Sequence, residues 1–176
     1  KPARDLGCRT ALISPYAADL ATATSMPSNT VDWVLVELQD TNHHAVASRS
    51  ALLKPDGSIV SPSGGTNILT ELSPGEALWV VIKHRNHLAV ASAQPVVFTN
   101  AVTPYDFSID PADVHGGTNG CVQLEPSIWA LIAGDADGDG RITAVDRAIV
   151  SNQLGKTGYL CGDLNLDGVV TEDDVP

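Results

Sequence analysis

The chain has 176 residues, 43% of them apolar and 18% charged, and a formal net charge of −11. That length supports one sizeable domain or two small ones, and the composition belongs to a folded chain rather than a disordered one. No stretch approaches the roughly 20 apolar residues of a membrane-spanning helix, and no basic face is present to hold a nucleic acid.

In chain order, residues 1–30 are a lead-in with one expected strand at 8–14, broken by Pro15, and a small, polar loop over 19–29. The opening Lys1-Pro2-Ala3-Arg4 has no apolar signal core, so a secreted protein is expected to have lost its signal already. Residues 31–40 are the strongest strand. Trp33, Leu35, Glu37 and Gln39 fall on one face, and Asp32, Val34, Val36 and Leu38 on the other. Residues 45–54 return as a second strand after a turn at 41–44, and 58–60 make a short third one. A strand at 68–72 leads through a turn into 77–83, an apolar run typical of a central strand. Residues 84–87 then read as a hairpin turn, with 88–91 coming back and 96–99 and 105–109 as the last strands. The expected fold is mainly β: an antiparallel β-sandwich over residues 1–115. Its expected core is Trp33, Leu35, Val36, Leu38, Leu52, Leu72, Leu78, Val80, Ile82, Leu88, Val96, Phe98 and Phe107.

Residues 116–133 are expected to connect this body to the rest. The glycines and polar residues of 116–120 read as a flexible loop. Residues 127–133 are too apolar for a free linker and are expected to pack on the sandwich, with Trp129 as anchor, making the two parts one rigid body.

Residues 134–176 hold two acidic loops in register. Gly134, Asp135, Asp139, Gly140, Thr143 and Asp146 recur as Gly162, Asp163, Asp167, Gly168, Thr171 and Asp174, an internal repeat. A hard cation such as Ca²⁺ takes roughly six to eight oxygens, and a twelve-residue loop supplies them from positions 1, 3, 5, 7, 9 and 12 with glycine at 6. In the first loop these are Asp135, Asp137, Asp139, the Arg141 carbonyl, Thr143 and Asp146. In the second they are Asp163, Asn165, Asp167, the Val169 carbonyl, Thr171 and Asp174. Ile142 and Val170, at position 8, are expected to pack inward between the loops. The segment carries nine acids against three bases, so two Ca²⁺ ions offset most of its charge, and without metal the tail is expected to loosen. Thr143 is placed to cap a helix over 144–154, with Val145, Ile149 and Leu154 as apolar positions and Gly155 as its stop. The sequence stops at Pro176, just after Asp174, so the second unit is expected to lack its helix.

Aspartate rather than glutamate at position 12, the pairing of the loops, and a Gly-Asp opening with no helix-forming stretch before it resemble the dockerin type I repeat. The resemblance covers roughly residues 134–174. It implies a small calcium module of two loop–helix units, each holding Ca²⁺, that docks onto a cohesin-like partner outside the cell. V-D-W-V-L-V-E-L at 31–38 and P-G-E-A-L-W-V-V-I-K-H-R-N-H-L at 74–88 look like a bacterial extracellular module that precedes dockerin-like repeats in large surface and secreted proteins. The stretch P-G-x-x-x-x-V-x-I is similar to prealbumin-like or Cna-B-type sandwiches, so the body is expected to be Ig-like or prealbumin-like.

Weak calcium loops suit the millimolar Ca²⁺ outside cells, which implies an oxidising compartment. The cysteines are Cys8, Cys121 and Cys161, an odd number, so one intramolecular disulfide is expected. Cys121–Cys161 would staple the repeat, and Cys8–Cys121 would tie the first strand to the end of the sandwich; the spacing leaves both open. Of the five histidines, His43, His44, His84 and His87 lie in expected turns and His115 lies outside them. Polar turn residues are the plain reading. A transition-metal site of His84 and His87, with His43 or His44 as third ligand, is the sharper one. No nucleophile elbow, zinc-protease helix or phosphate-cradling loop is present, and Asp32 and Glu37 point to opposite faces of one strand.

The expected function is therefore non-enzymatic: an extracellular or cell-surface, calcium-stabilised structural protein. In its strong form, identical subunits assemble into a fibre through the sandwich edges and the incomplete repeat. The alternative is the C-terminal docking or adhesion module of a larger secreted protein. Carbohydrate binding is disfavoured, because Trp33 and Trp79 read as core residues.

Overall fold

The computed structural model describes residues 11–27, 29–68, 74–99 and 102–176. The architecture is mainly β, with antiparallel strands and, among the described residues, one α-helix. The strands are β1 (Asp32–Gln39), β2 (Ala45–Leu53), β3 (Ile59–Val60), β4 (Ala77–Lys83), β5 (Val90–Ala91), β6 (Val96–Val97), β7 (Val122–Glu125) and β8 (Ile128–Ala130), followed by the helix α1 (Ala144–Gln153). Among the described residues, no helix is long and apolar enough to cross a membrane.

The main sheet runs β3-β2-β1-β4-β5, and β6 also pairs with β4. β5 and β6 are successive stretches along the same edge of β4. Val81 faces Ala91 and Leu78 faces Val96, so two extra residues bulge out between them. Ser92 holds the bulge. Its N–H donates to the Val80 carbonyl (2.8 Å), and its hydroxyl accepts from the Val80 N–H (3.1 Å), replacing a lost rung of the ladder.

Alternation along β1 is as expected, but both faces are covered. Val34, Val36 and Leu38 join Ala51, Val80 and Ile82 in the larger core. Trp33 and Leu52 face the other way, onto Ala23, Tyr16 and Tyr159. The Trp33 indole N–H reaches the Ala11 carbonyl (2.7 Å), so this fully buried ring keeps its hydrogen bond. Two packed faces explain why β1 is buried from Asp32 to Leu38.

Several expected elements differ. Residues 69–72 of the strand expected at 68–72, Leu72 among them, and the start of the one at 8–14 lie outside the described residues; Ile68 packs on the main core, and Ile13 makes a single bridge to Thr22. Residues 105–109 form no strand, because the Asp106 carboxylate takes up the N–H and hydroxyl of Ser108 (both 2.7 Å) in a tight local turn. The return at 88–91 shrinks to β5, since the Leu88 N–H donates instead to the Ile132 carbonyl (2.8 Å). Residues 122–130, expected to be connecting chain, make an antiparallel ribbon of β7 and β8. Trp129 packs on the main core, as its role of anchor requires.

α1 starts and stops where the sequence placed it, within a residue. Thr143 caps it through a capping box with Asp146, and Gly155 follows at φ 77°. Its buried side differs: Val150 is fully buried with Ala136, Leu164 and Val170, while Val145 is 57% exposed. Ile142 is likewise 40% exposed, so of the two position-8 residues only Val170 packs inward.

Candidate metal centre

The two acidic loops share most of their closing hydrogen bonds; in the second, Asp163 Oδ1 also accepts the Asp167 N–H (3.0 Å) and Asp174 the Leu164 N–H (2.8 Å). Asp135 Oδ2 accepts from the Gly140 N–H and Asp163 Oδ2 from the Gly168 N–H, each at 3.0 Å. Asp137 Oδ1 takes the Asp139 N–H, and Asn165 Oδ1 the Asp167 N–H. Asp139 and Asp167 take the N–H groups of Arg141 and Val169. At position 12, Asp146 accepts from Asp137 N–H and Thr143 N–H, and Asp174 from Asn165 N–H and Thr171 N–H. Gly140 (φ 85°) and Gly168 (φ 91°) both make the left-handed bend at position 6. At position 4 the loops part: Gly138 has φ 73° and Leu166 has φ 61°, so the second loop forces a side chain into the left-handed region.

The structure thus gathers Asp135, Asp137, Asp139, Thr143 and Asp146 around the first loop, and Asp163, Asn165, Asp167, Thr171 and Asp174 around the second. Carboxylate oxygens of Asp135, Asp137 and Asp139 all lie within 4.8 Å of one another. Asn165 replaces the corresponding carboxylate in the second loop. Asp135, Asp146, Asp163 and Asp174 are buried. One atom is left over: Asp135 Oδ1 is buried with no hydrogen-bond partner. A buried, unpartnered carboxylate oxygen is costly unless a cation meets it. Burial raises the Asp135 and Asp163 carboxyls above the usual range, against the backbone N–H groups that pull the other way. Burial also acts on Asp146, but the N–H groups of Thr143 and Asp137 outweigh it and hold that carboxyl low. This donor set of hard oxygens fits Ca²⁺.

The sulfur chemistry differs from expectation. Cys121 and Cys161 are free thiols, not joined to each other. Cys121 lies in the core under the sheet, whereas Cys161 accepts a hydrogen bond from Gln153 Nε2 (3.3 Å) beside α1. Cys8 lies outside the described residues.

The turn at 84–87 is the feature that sequence reasoning missed. It is a buried plug between the sheet and the second loop, not an exposed polar turn. Asp32, 1% exposed, accepts from Trp33 N–H (2.7 Å), Tyr159 O–H (2.6 Å) and Arg85 Nε (2.8 Å). His84 Nε2 stands 3.3 Å from the same carboxylate. Arg85 also donates to the Leu160 carbonyl and lies over the Tyr159 ring at 4.4 Å. Burial alone would raise Asp32; His84, Arg85 and Tyr159 reverse it and hold the carboxyl low. The His84 and His87 rings do meet, 4.6 Å apart, but His43 stacks near Trp79 instead. Among the described residues, the one cluster of three metal-ligating side chains is that of Asp135, Asp137 and Asp139.

Compared with known proteins, the chain matches no family model, no curated protein and no solved structure. Its functional reading therefore rests on its own geometry.

Proposed function

We propose that residues 134–176 form a dockerin-like module for two Ca²⁺ ions, set on an Ig-like or prealbumin-like sandwich body, in a non-enzymatic extracellular structural protein. The observation that carries this reading is the buried, unpartnered Oδ1 of Asp135 in a loop whose hydrogen bonds recur in a second copy. Assembly with identical subunits is supported by the β7–β8 ribbon, which pairs with no other strand among the described residues and exposes Val122, Leu124 and Ile128. A sheet edge with apolar residues on it is a template for another chain.

The second reading is docking to a cohesin-like partner. It is supported by Ile142 and Val145, which face solvent beside the first loop.

Calcium titration by calorimetry tests the metal. Two ions are expected to bind, and each stabilises the fold by about 2.7 kcal/mol when free Ca²⁺ is about 100-fold above its Kd. A chain that takes up no calcium and keeps its melting temperature at millimolar-scale Ca²⁺ overturns the reading. Sedimentation velocity with calcium and with chelator then separates the two partners. Large species that dissolve on chelation support self-assembly, and a monomer in both conditions supports docking to a different protein.

A further inference from the structure

We infer that Asn86 couples the two calcium loops to each other and to the sheet, so that the second loop attains its metal-binding shape only while Asn86 grips it. The inference rests on the calcium reading above. Asn86 is fully buried in the turn between β4 and β5. Its side-chain amide donates to the carbonyls of Cys161 (3.1 Å) and Asp163 (2.7 Å). Its own backbone carbonyl accepts the N–H of Gly134 (3.1 Å). Its Oδ1 is paired with His87 Nδ1 at 2.8 Å.

Gly134 immediately precedes the first ligand of one loop, and Asp163 is the first ligand of the other. One residue of the turn therefore holds both loops at their start, one through the Gly134 N–H and the other through the Asp163 carbonyl. Arg85 adds to the grip through the Leu160 carbonyl. The loops make no position-8 ladder with each other. The Val170 N–H goes to the Lys156 carbonyl (2.9 Å), and its carbonyl takes the Gly155 N–H (2.8 Å). Apolar contact joins the loops through Ala136 and Leu164, but the hydrogen-bonded link from Gly134 to Asp163 runs through Asn86.

A residue that orients a metal ligand without touching the metal typically changes affinity by about 10–100-fold. Linkage is reciprocal: if Asn86 tightens calcium binding, calcium tightens the hold of the loops on the turn by the same factor.

The test uses the full chain and Ca²⁺ itself. Calorimetric titration of Asn86→Ala and Asn86→Ser is expected to show one of the two ions weakened by about 10–100-fold. Val36→Ala serves as control: it lowers the melting temperature through the sheet core but leaves both affinities within about twofold. Asn86 variants that bind both ions within about twofold of the parent chain overturn the inference. A parent chain that binds no calcium overturns the calcium reading instead, so the two failures are distinct. Where the variants do not fold, hydrogen exchange on the parent chain decides. The amides of Gly134, which donates to Asn86, and of Leu88, which donates to Ile132 just ahead of the first loop, are expected to slow by about tenfold or more on adding Ca²⁺. Unchanged rates there, while the amides of Gly140 and Gly168 slow, overturn the coupling.

Discussion

Asp32→Asn is the sharpest single test of the junction between the sheet and the acidic loops. The change keeps the size of the side chain and removes its charge. Oδ1 now accepts from Trp33 N–H and Tyr159 O–H, and Oδ2 accepts from Arg85 Nε. An amide serves only one side. If its oxygen stays on Trp33 and Tyr159, its NH₂ meets the Arg85 donor head on. The lost charge-assisted bond is worth about 1.5–3 kcal/mol, and leaving a buried guanidinium without its counter-charge brings the total to about 3–5 kcal/mol. Arg85 has nowhere to turn for water, since its side chain is 8% exposed. The assay is urea unfolding of the full chain in excess calcium, followed by tryptophan fluorescence. Arg85→Met and the double variant complete a cycle. The double variant is expected to lose at least about 1 kcal/mol less than the sum of the singles, because the stranded charge is gone. A loss below about 1 kcal/mol for Asp32→Asn, or strict additivity in the cycle, refutes the reasoning.

Three further outcomes follow from the same geometry. Burial, then His84 and Arg85, push the His87 imidazole down to about 3. The unfolded chain takes up a proton near its ordinary value of about 6.5 and the folded chain does not, so stability falls as the pH drops from there towards 3, by up to about 1.4 kcal/mol per unit. The difference between the parent and His87→Gln, measured by urea unfolding at several pH values, isolates this slope; parallel profiles would contradict it. Thr143→Ala removes the cap that holds the Val145 N–H (3.1 Å), and is expected to cost about 0.5–2 kcal/mol and reduce the helical circular dichroism signal. Leu166→Gly relieves the left-handed strain of the second loop, and Gly138→Leu imposes it on the first, where an added Cβ meets nothing within 4 Å. Melting temperatures are expected to move in opposite directions, by the equivalent of up to about 1 kcal/mol each.

The sequence by itself determined whatever depends on near neighbours along the chain. The acidic loops close through hydrogen bonds such as that from Gly140 N–H to Asp135, between residues five positions apart, so their spacing shows in the letters. The same holds for α1, framed by Thr143 and Gly155, and for β1, β2 and β4, written in runs of apolar and β-branched residues. Only the tertiary structure decided the rest. His84, Arg85, Asn86 and His87 read as a polar turn, because nothing nearby in sequence shows their partners. Asn86 meets Asp163 from 77 positions away, and Asp32 meets Tyr159 from 127. A buried polar residue and a solvated one carry the same letter, and the folded chain alone says which carbonyl or charge replaces water. The same reason left the two thiols unpaired: Cys121 is buried in the main core while Cys161 lies half-buried beside α1, a separation that no spacing along the chain could reveal.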